Sequence, residues 1–371
     1  MTKPVTYRIE ATDGEARLGV LTTPHGEVVT PNFMPVGTRA AVRAVDSRDL
    51  LEAGTQILLA NTYHLMLRPG AETIARLGGL HGFMGWSGPI LTDSGGYQVF
   101  SLEPEVDEQG VRFKSAYDGS RVHLTPEDAV RVQEDLGADI AMVLDVCVGL
   151  PAPVSQVEEA MDRTLRWAER ALSVHRSTDQ ALFGIVQGGV DDELRARSAA
   201  ATAGLDFAGF GIGGLSVGES VEDRNRVLGV VVDELPAGKP RYTMGLGDSE
   251  GVLDAVARGV DLFDCVWPTR LARHGRVLTP DGDYNLKRSE HRVADIPLQV
   301  GCRCATCSTY SRAYLRHLFT TRELSSHRLL SLHNLTYTMG LMQDARAAIA
   351  GGRFAEFHAA TVTRRLSPSP K

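Results

Sequence analysis

Residues 139–144 read DIAMVL, in which an apolar run that is unbroken from Ile140 to Leu144 stops directly before Asp145. Helical patterns flank this run on both sides. Thr125, followed by proline and two acidic residues, is a typical N-cap for a helix that we expect to stop near Gly137. A second periodic segment, QVEEAMDRTLRWAERAL, follows Ser155. Because a continuous apolar run between two helices is typical of a buried parallel strand, this stretch predicts a βαβ unit.

The same pattern recurs along most of the chain. Eight apolar runs alternate mostly with segments of helical pattern: FMPVG (33–37), QILLA (56–60), PILT (89–92), DIAMVL (139–144), ALFGIV (181–186), FAGFGI (207–212), RYTMG (241–245) and VDLFD (260–264). Strand–helix alternation of this kind predicts a parallel sheet with right-handed crossovers. Eight such units predict an α/β protein with a (β/α)8 TIM barrel.

Two segments stand outside this alternation. The first 30 residues hold short β-like runs between turn residues, at Tyr7–Glu10, Arg17–Leu21 and Glu27–Val29, which predict an N-terminal antiparallel cap. Residues 101–124 interrupt the barrel pattern, and Asp118-Gly119 predicts a hairpin turn within them.

Polar residues and a glycine pair follow the predicted strands, or in the eighth strand form its last residue, at the end where a TIM barrel carries its active site. They are Asn61, Asp93, Asp145, Gln187, Gly213, Gly214 and Asp264. Three carboxylates at one mouth are costly to desolvate unless a substrate or a reaction accounts for them. Each aspartate alone has a plainer explanation, as a helix cap or as the partner of an arginine. Together, without a His-x-His barrel metal motif, they predict glycosidic-bond chemistry, with one carboxylate as nucleophile and another moving protons.

A cysteine cluster predicts a structural metal site. Cys302, Cys304 and Cys307 lie within six positions, and His333 follows after 25 further residues. Three thiolates and one imidazole are the ligand set of a closed tetrahedral Zn²⁺ site, with one ion per chain. The alternative is a group of reduced structural thiols beside an unrelated histidine. Such an ion would stabilise a subdomain too short to fold on its own core.

The charge distribution favours a polyanionic partner only in the last third of the chain. The 371 residues carry a net charge of −7, which by itself disfavours nucleic-acid binding. From Asp264 onward, however, 16 Lys and Arg stand against 8 Asp and Glu. Arg270, Arg273 and Arg276 follow Asp264 in one loop. A solvated charge run is the plain explanation, but beside the barrel mouth contact with RNA is favoured.

The sequence also predicts where the protein acts. No stretch approaches the roughly 18 unbroken apolar residues of a membrane span, and the N-terminus lacks the apolar core of a signal peptide. An odd number of cysteines, three of them clustered, suits a reducing compartment. We therefore expect a cytoplasmic protein without a membrane partner.

These features predict three parts. Residues 1–280 form the N-terminal β cap and the main part of the barrel. Residues 281–335 form an inserted C-terminal zinc-binding subdomain. Residues 336–371 form C-terminal helices that complete the fold, with a short disordered tail at Ser367–Lys371.

Several motifs together resemble a known family, the bacterial tRNA-guanine transglycosylases, also called queuine tRNA-ribosyltransferases. The resemblance covers nearly the whole chain and rests on NTYHL (61–65), LTDSGGYQ (91–98), GIGGLSVGE (211–219), FDCV (263–266), PTR (268–270) and the three cysteines. It implies a pentosyltransferase of queuosine biosynthesis. Such an enzyme exchanges the wobble guanine of GUN-anticodon tRNAs for 7-aminomethyl-7-deazaguanine (preQ1).

The resemblance also implies catalytic roles. Asp264 attacks the ribose carbon of the wobble guanosine, expels guanine and leaves a covalent RNA–enzyme intermediate. The 7-deazaguanine then attacks in turn. Asp93 moves protons on and off the departing and arriving bases.

The base pocket is implied in the same way. Asp145 and Gln187 hydrogen-bond the base edge, Gly214 offers its backbone to the base carbonyl, and Tyr97 and Met244 sandwich the ring. The full substrate-binding set is Asp93, Ser94, Gly95, Gly96, Tyr97, Asp145, Gln187, Gly214, Leu215 and Met244. Glu219 resembles the acid that helps to read the aminomethyl group through a backbone peptide.

The macromolecular partners follow from the resemblance as well. The anticodon loop of tRNA would contact two segments: Gly245, Leu246, Gly247, Asp248, Ser249, Glu250 and Gly251, and then Thr269, Arg270, Leu271, Ala272 and Arg273. The family forms homodimers through the zinc subdomain, and Tyr310, Tyr314 and His317 lie where aromatic interface residues are expected.

One departure bears on base preference. After Asp145, many bacterial relatives have Glu-Cys-Pro, whereas this chain has VCVGLP at 146–151. Cys147 and Val217 still match the bacterial pattern, which favours preQ1 over the bulkier queuine. Two other functions are weaker: a metal-dependent barrel hydrolase needs strand-end ligands that are missing, and a catalytically inactive tRNA-binding subunit does not need both Asp93 and Asp264.

Overall fold

The computed structural model describes residues 4–102 and 104–367. The predicted disordered tail lies outside these residues from position 368 onward. In the described residues, no helix combines the length and the hydropathy that crossing a membrane requires.

Sixteen strands occur in the described residues. In chain order they are β1 (Thr6–Asp13), β2 (Ala16–Thr23), β3 (Gly26–Thr30), β4 (Asn32–Gly37), β5 (Leu58–Ala60), β6 (Ile90–Thr92), β7 (Glu105–Val106), β8 (Val111–Lys114), β9 (Arg121–Leu124), β10 (Ile140–Met142), β11 (Ala181–Val186), β12 (Gly209–Ile212), β13 (Arg241–Thr243), β14 (Leu262–Cys265), β15 (Arg276–Val277) and β16 (Tyr284–Asn285).

Eight of the strands close into a parallel barrel in the order β4, β5, β6, β10, β11, β12, β13, β14, and β14 pairs back onto β4. Each barrel strand overlaps one of the eight apolar runs of the sequence. Strands of this kind are buried on both faces, which is why the runs are mostly apolar. The predicted α/β class and (β/α)8 TIM barrel are therefore confirmed.

Helices surround the barrel and follow most of its strands. They are α1 (Ser47–Glu52), α2 (Thr62–Leu67), α3 (Ala71–Arg76), α4 (Gly79–Met84), α5 (Gly96–Phe100), α6 (Pro126–Leu136), α7 (Val154–Val174), α8 (Asp192–Ala203), α9 (Val221–Glu234), α10 (Ser249–Val256), α11 (Trp267–Arg273), α12 (Ala305–Thr309), α13 (Arg312–Thr320), α14 (Ser325–Ala350) and α15 (Phe354–Leu366), with a 3-10 helix at Ser289–Val293.

Helix α6 illustrates how local sequence sets these boundaries. The hydroxyl of Thr125 accepts the backbone N–H of Asp128 at 3.1 Å, and the Asp128 carboxylate accepts the Thr125 N–H at 3.3 Å. This reciprocal capping satisfies two orphan donors of the first turn. Gly137 ends the helix with φ 68°, a left-handed conformation that favours glycine. Both predicted ends are confirmed.

The predicted antiparallel cap is formed by β1, β2 and β3 and covers the amino ends of the barrel strands. Arg17 forms a buried ion pair with Asp261, which also accepts the Tyr7 hydroxyl at 2.7 Å. In the β2–β3 turn, His25 Nδ1 lies 2.8 Å from Asp139 Oδ1. Asp261 and Asp139 directly precede β14 and β10, so the cap is joined to the barrel end opposite the polar strand ends.

The insertion after β6 folds as a small antiparallel sheet of β7, β8 and β9. Strands β8 and β9 pair from Val111–Leu124 to Lys114–Arg121 around the expected turn at Asp118-Gly119. The chain leaves the carboxyl end of β6 and reaches this sheet through α5. The sheet therefore lies on the same side of the barrel as the polar strand ends.

The C-terminal region is organised by α14, the longest helix. It packs against the cap, β4 and α11, and it carries His333 beside the cysteines. A separate small core lies under the cysteines and includes Leu286, Leu298, Leu315 and Leu330. The domain boundaries at residues 280 and 335 stay a prediction; the second falls within α14.

Candidate active site and metal centre

A cavity of about 410 Å³ opens at the carboxyl ends of the barrel strands. Eleven of the predicted site residues line it: Asp93, Ser94, Gly96, Tyr97, Asp145, Gly214, Leu215, Met244, Gly245, Asp264 and Arg270. Two further predicted residues lie behind the lining residues: Gln187 hydrogen-bonds Asp145, and Gly95 packs against Tyr63. The structure thus brings together three aspartates that are far apart in the sequence.

Asp264 lies in β14 and is held through a single oxygen. The hydroxyl of Tyr242 donates to Asp264 Oδ1 at 2.5 Å, and the backbone N–H of Gly245 donates to the same oxygen at 2.8 Å. Burial raises the pKa of Asp264, and these two donors oppose that rise. Because both donors use Oδ1, Oδ2 is the oxygen left to face the cavity.

Asp93 directly follows β6 and is the most heavily hydrogen-bonded of the three carboxylates. Its Oδ2 accepts from the side chains of Asn61 and, at 3.0 Å, Gln98. Its Oδ1 accepts the backbone N–H groups of Thr62 at 2.9 Å and Gly95 at 3.2 Å. Burial nevertheless raises the pKa of Asp93 to about 6, with a further contribution from the charge of Asp264. Asp93 can therefore gain and lose a proton near neutral pH.

Asp145 and Gln187 form a hydrogen-bonded pair. The Gln187 carboxamide donates to Asp145 Oδ2 at 2.6 Å, and the Ser94 hydroxyl lies 3.5 Å from Oδ1. Burial raises the pKa of Asp145 to about 6, and the hydrogen bond from Gln187 opposes the rise. At neutral pH the pair offers a carboxylate that accepts hydrogen bonds beside an amide. It therefore complements a ligand edge that carries both hydrogen-bond donors and an acceptor.

Glycines let this pair approach the backbone closely. A Cβ at Gly214, which has φ 64°, would lie 2.3 Å from Gln187 Oε1, and one at Gly96 would lie 2.7 Å from Asp145 Oδ1. Side chains at these two positions would displace the pair, so the glycines shape the pocket.

Sequence reasoning missed Arg195, which organises the same wall. Its fully buried guanidinium donates to the carbonyls of Gly189 at 2.7 Å, Gly213 at 2.9 Å and Gly214 at 3.3 Å. Burial lowers its pKa to about 10. One signal was available: Arg195 falls on the buried face of α8 with Leu194, Ser198, Ala199 and Thr202. Tyr242 and Gln98 were missed as hydrogen-bond partners of Asp264 and Asp93 for a different reason. The Tyr242 contact is long-range, and the Gln98 contact depends on the loop after β6.

The side chains predicted to sandwich the ring differ in exposure. Tyr97 is 58% exposed at the mouth, whereas Met244 is half-buried in the cavity wall. An exposed aromatic ring at the mouth and a thioether in the wall offer surfaces on which a flat base can stack.

The two predicted RNA-contacting segments divide into exposed and structural residues. In the first, Gly245 is exposed, but Leu246, Ser249 and Gly251 are buried and Asp248 caps α10. Glu250 accepts Arg365 Nε at 2.7 Å. In the second segment, α11, Thr269 and Ala272 are buried and Leu271 is half-buried, which leaves Arg270 and Arg273 as its cationic groups.

The loop after β12 is held by Glu219. Its carboxylate accepts the backbone N–H groups of Ser216 at 2.5 Å and Val217 at 3.0 Å. Since the N–H and C=O of a trans peptide point in opposite directions, the carbonyl of Leu215 points away from Glu219. Leu215, Ser216 and Val217 all line the cavity.

The four predicted metal ligands lie together outside the barrel. Cys302, Cys304, Cys307 and His333 have ligand atoms within 4.8 Å of one another. His333 Nδ1 lies 3.6, 3.7 and 3.3 Å from the three sulfurs in that order. A tetrahedral ion at about 2.3 Å from sulfur and about 2.0 Å from nitrogen separates such atoms by roughly 3.5 Å, so the cluster can hold a metal ion.

The second nitrogen of His333 orients the ring. His333 Nε2 lies 3.0 Å from the backbone carbonyl of Leu278 and is the nitrogen that donates to it. A hydrogen bond of this kind fixes the tautomer in which Nδ1 presents its lone pair to the thiols.

Comparison with known proteins agrees with this geometry. The family model described as queuine tRNA-ribosyltransferase matches residues 12–367. The chain belongs to the queuine tRNA-ribosyltransferase family. The resemblance inferred from the motifs is thereby confirmed, and with it the assignment of the chain as a transferase of the tRNA-guanine transglycosylase type, a pentosyltransferase.

Individual members of the queuine tRNA-ribosyltransferase family are similar over nearly their full length. The queuine tRNA-ribosyltransferase of Herpetosiphon aurantiacus is 51% identical over 354 residues, covering 95% of this chain and 90% of the relative. That of Fusobacterium nucleatum is 49% identical, covering 96% of this chain and 97% of the relative. That of Thermus thermophilus is 50% identical, covering 98% and 95%.

Proposed function

We propose that the chain exchanges the wobble guanine of GUN-anticodon tRNAs for preQ1 through a covalent Asp264–ribose intermediate. The observation that carries the proposal is the one cavity that Asp264, Asp93 and Asp145 line at the carboxyl ends of β14, β6 and β10. Family membership supports it, since the relatives are named as queuine tRNA-ribosyltransferases.

In the first half-reaction, Asp264 is the nucleophile. Its Oδ2 forms a bond to C1′ of the ribose while the C1′–N9 bond breaks, and the electron pair of that bond leaves with guanine. The donors on Oδ1, Tyr242 and Gly245, orient the carboxylate and favour its ionised form. A protonated Asp93 supplies the proton that the departing guanine needs.

In the second half-reaction the direction is reversed. Asp93, now ionised, takes the N9 proton of preQ1, whose nitrogen attacks C1′ while the Asp264 carboxylate leaves. A pKa of about 6 suits both tasks, because a group that titrates near the working pH can donate and accept.

Base recognition rests on the Asp145–Gln187 pair. Guanine and preQ1 share an edge with two N–H donor groups beside a carbonyl acceptor. The Asp145 carboxylate suits the donors, while the Gln187 amide and the Gly214 backbone suit the carbonyl. Tyr97 and Met244 supply the stacking surfaces, and Ser94, Gly95, Gly96 and Leu215 complete the pocket.

The loop held by Glu219 favours preQ1. With the Ser216 N–H engaged by Glu219, the carbonyl of Leu215 is free to accept from an aminomethyl ammonium group. Cys147 and Val217 also line the cavity and leave less space than smaller side chains would, which disfavours the larger queuine.

The remaining assignments extend beyond the active site. We assign a structural Zn²⁺ to Cys302, Cys304, Cys307 and His333, since their number, chemistry and spacing suit it. Homodimer formation is supported by the stacked rings of Tyr310 and Tyr314, 5.3 Å apart, with Tyr314 46% exposed on α13. His317 lies on the same helix. We also propose that the protein acts in the cytoplasm, the compartment in which tRNA is modified.

Two measurements test the proposal. Labelled guanine should be incorporated into GUN-anticodon tRNA, and a denaturation-resistant RNA adduct should form with the wild-type protein. Asp264→Ala should abolish the adduct while retaining RNA binding, whereas Asp233→Ala, on the exposed face of α9, should retain both. RNA binding without any exchange by the wild type would instead indicate a non-catalytic tRNA-binding subunit.

A further inference from the structure

The rim of the active-site cavity carries a basic cluster that is separate from α11. Arg39 follows β4 and Arg68 follows α2, and their guanidinium carbons lie 5.4 Å and 4.9 Å from the ring centroid of Tyr117. The Tyr117 hydroxyl lies 3.0 Å from His64 Nδ1. We call these four residues the rim cluster. Its members come from three connections on the active-site side of the barrel.

The two arginines of the rim cluster are exposed. Within residues 4–102 and 104–367, none of the ion pairs closer than 4.0 Å involves Arg39 or Arg68. Hydrogen bonds from Ser115 and Ser120 lower the pKa of Asp118, and the charge of Arg68 adds a smaller contribution in the same direction. The Asp118 carboxylate is engaged by the Ser120 N–H at 3.1 Å and the Ser120 hydroxyl at 2.8 Å. Two like charges against one ring repel each other, and a bound anion would relieve that repulsion.

The backbone that carries Arg39 is held in one conformation. Ala40 has φ 55° and Ala44 has φ 73°, and L-residues with a side chain rarely adopt this left-handed region. The Ala40 N–H donates to Gly37 O at 3.2 Å, and the Val45 N–H donates to Val42 O at 3.1 Å. Arg39 therefore projects from a defined turn and not from a loose loop.

The rim cluster is connected to the catalytic machinery through α2. His64 lines the cavity, and the same helix begins with Thr62, whose backbone N–H donates to Asp93. Asn61, the residue before the helix, also donates to Asp93. A ligand on the rim cluster would thus lie in a fixed position relative to the proton-transferring group.

We propose that Arg39 and Arg68, supported by Tyr117, bind a phosphodiester of the RNA strand next to the exchanged nucleotide. This inference rests on the proposed function. Guanidinium groups match phosphate oxygens with parallel N–H donors, and a ring against their flat faces leaves the N–H edges free to bind. Phosphate contacts set the position of a nucleic acid, here the ribose in front of Asp264, without reading its sequence.

The salt dependence of RNA binding tests this proposal. Affinity for an anticodon stem-loop RNA would be measured with the full chain across a series of salt concentrations. The double variant Arg39→Gln, Arg68→Gln should reduce the slope of log K against log salt by roughly 0.7 to 1 per lost phosphate contact, and at about 0.1 M salt it should lose roughly tenfold in affinity per contact. The KM for RNA should rise while kcat and the affinity for free guanine stay unchanged, which also verifies that the cavity is folded.

Matched variants exclude a general charge effect. Arg131→Gln, Arg197→Gln removes two exposed arginines from the outer helices α6 and α8 and should leave the salt slope unchanged. Tyr117→Phe keeps the ring and should bind as the wild type, whereas Tyr117→Leu should weaken RNA binding in the direction of the double variant.

Three results distinguish the inferences. If the rim variant has the same salt slope as the outer-helix variant, the phosphate site is wrong. If the wild type binds RNA with a slope that the rim variant reduces but exchanges no base, the phosphate site stands and the proposed function fails. If the wild type does not bind the stem-loop at any salt concentration, both are overturned.

Discussion

The hydroxyl of Tyr242 donates a 2.5 Å hydrogen bond to Asp264 Oδ1, and the two residues lie on the neighbouring barrel strands β13 and β14. Tyr242 is fully buried, and its own pKa is raised by burial first and by the charge of Asp264 second. The phenol therefore stays a hydrogen donor across the working pH range. A donor of fixed protonation thus opposes, together with the Gly245 N–H, the rise in the pKa of Asp264 that burial causes.

Tyr242→Phe should shift the acid limb of the pH–rate profile to higher pH. The substitution preserves the shape of the core but removes a donor that stabilises the ionised carboxylate, so the pKa of Asp264 rises. A hydrogen bond to a charged group is worth about 1.5–3 kcal/mol, which corresponds to roughly one to two pH units. The profile of kcat/KM for guanine exchange measures the shift. An unchanged acid limb would show that the phenol does not tune the pKa of Asp264.

The two half-reactions should respond to pH in opposite directions around pH 6. Adduct formation needs protonated Asp93 and should slow as the pH rises above about 6, provided that Asp264 is ionised. Release of the adduct by an added nucleobase, guanine or preQ1, needs ionised Asp93 and should accelerate over the same pH range. Single-turnover rates of both steps test this, with Asp93→Asn as the variant that should lose the pH response and roughly 10²–10⁴-fold in rate. Parallel pH profiles would contradict the shared proton carrier.

Glu219→Gln should weaken preQ1 binding without changing guanine binding. The carboxamide keeps one acceptor but replaces the other with a donor, so it cannot hold the N–H groups of both Ser216 and Val217. The Leu215 carbonyl is then less firmly oriented, and the KM for preQ1 should rise about tenfold. KM values for the two bases are compared, and Glu222→Gln on the exposed start of α9 is the control. Equal changes for both bases would exclude a role in reading the aminomethyl group.

Removal of one thiol should release the metal ion and destabilise the region around it. Cys304→Ser should lower the metal content from one ion per chain to none, since a structural site needs all four ligands. Elemental analysis and thermal unfolding measure the two effects. Cys147→Ser, at a buried cysteine in the barrel cavity, should keep the metal. Full metal content in Cys304→Ser would disprove the assigned ligand set.

Acid should weaken the contact between the cap and the barrel through Asp139. Burial opposes ionisation of Asp139, but contacts with His81, the Ile90 N–H and His25 outweigh it and hold the pKa of Asp139 below its usual value. A lowered folded-state pKa contributes stability that is present at neutral pH and is lost as the pH falls through the acidic range.

Asp139→Asn should therefore reduce the free energy of unfolding by about 1–3 kcal/mol at pH 7 and by less near pH 4. Denaturant unfolding at the two pH values measures both quantities. Asp179→Asn, at an exposed aspartate, supplies the baseline. A penalty that does not change with pH would mean that the carboxylate charge does not carry the contact.

The barrel could be predicted from the sequence because its strands obey a local rule. A run such as ALFGIV at 181–186 is apolar at every position since both of its faces are buried, and the strand is formed at Ala181–Val186. The N-terminal antiparallel cap and helix α6 could be predicted for the same reason. Turn residues and the capping box that begins at Thr125 both act over a few positions.

The positions of the site aspartates were also predictable, since Asp93 and Asp145 follow an apolar run and Asp264 ends one, at the end of the barrel where active sites lie. Their hydrogen-bond partners were not. Tyr242 belongs to a fully buried strand, and nothing local indicates that its hydroxyl meets Asp264. Asn61 reaches Asp93 across 32 positions, a pairing that depends on which strands are neighbours. Such contacts follow from barrel closure and not from sequence pattern.

The guanidinium of Arg195 links two loops of the cavity wall. It binds the carbonyls of Gly189 on one side and of Gly213 and Gly214 on the other, so two neighbouring loops share a single clamp. The loops after β11 and β12 therefore cannot move independently. Substitutions on α8 that displace Arg195 should therefore change the shape of the base pocket that we propose, while leaving Asp93 and Asp264 in place.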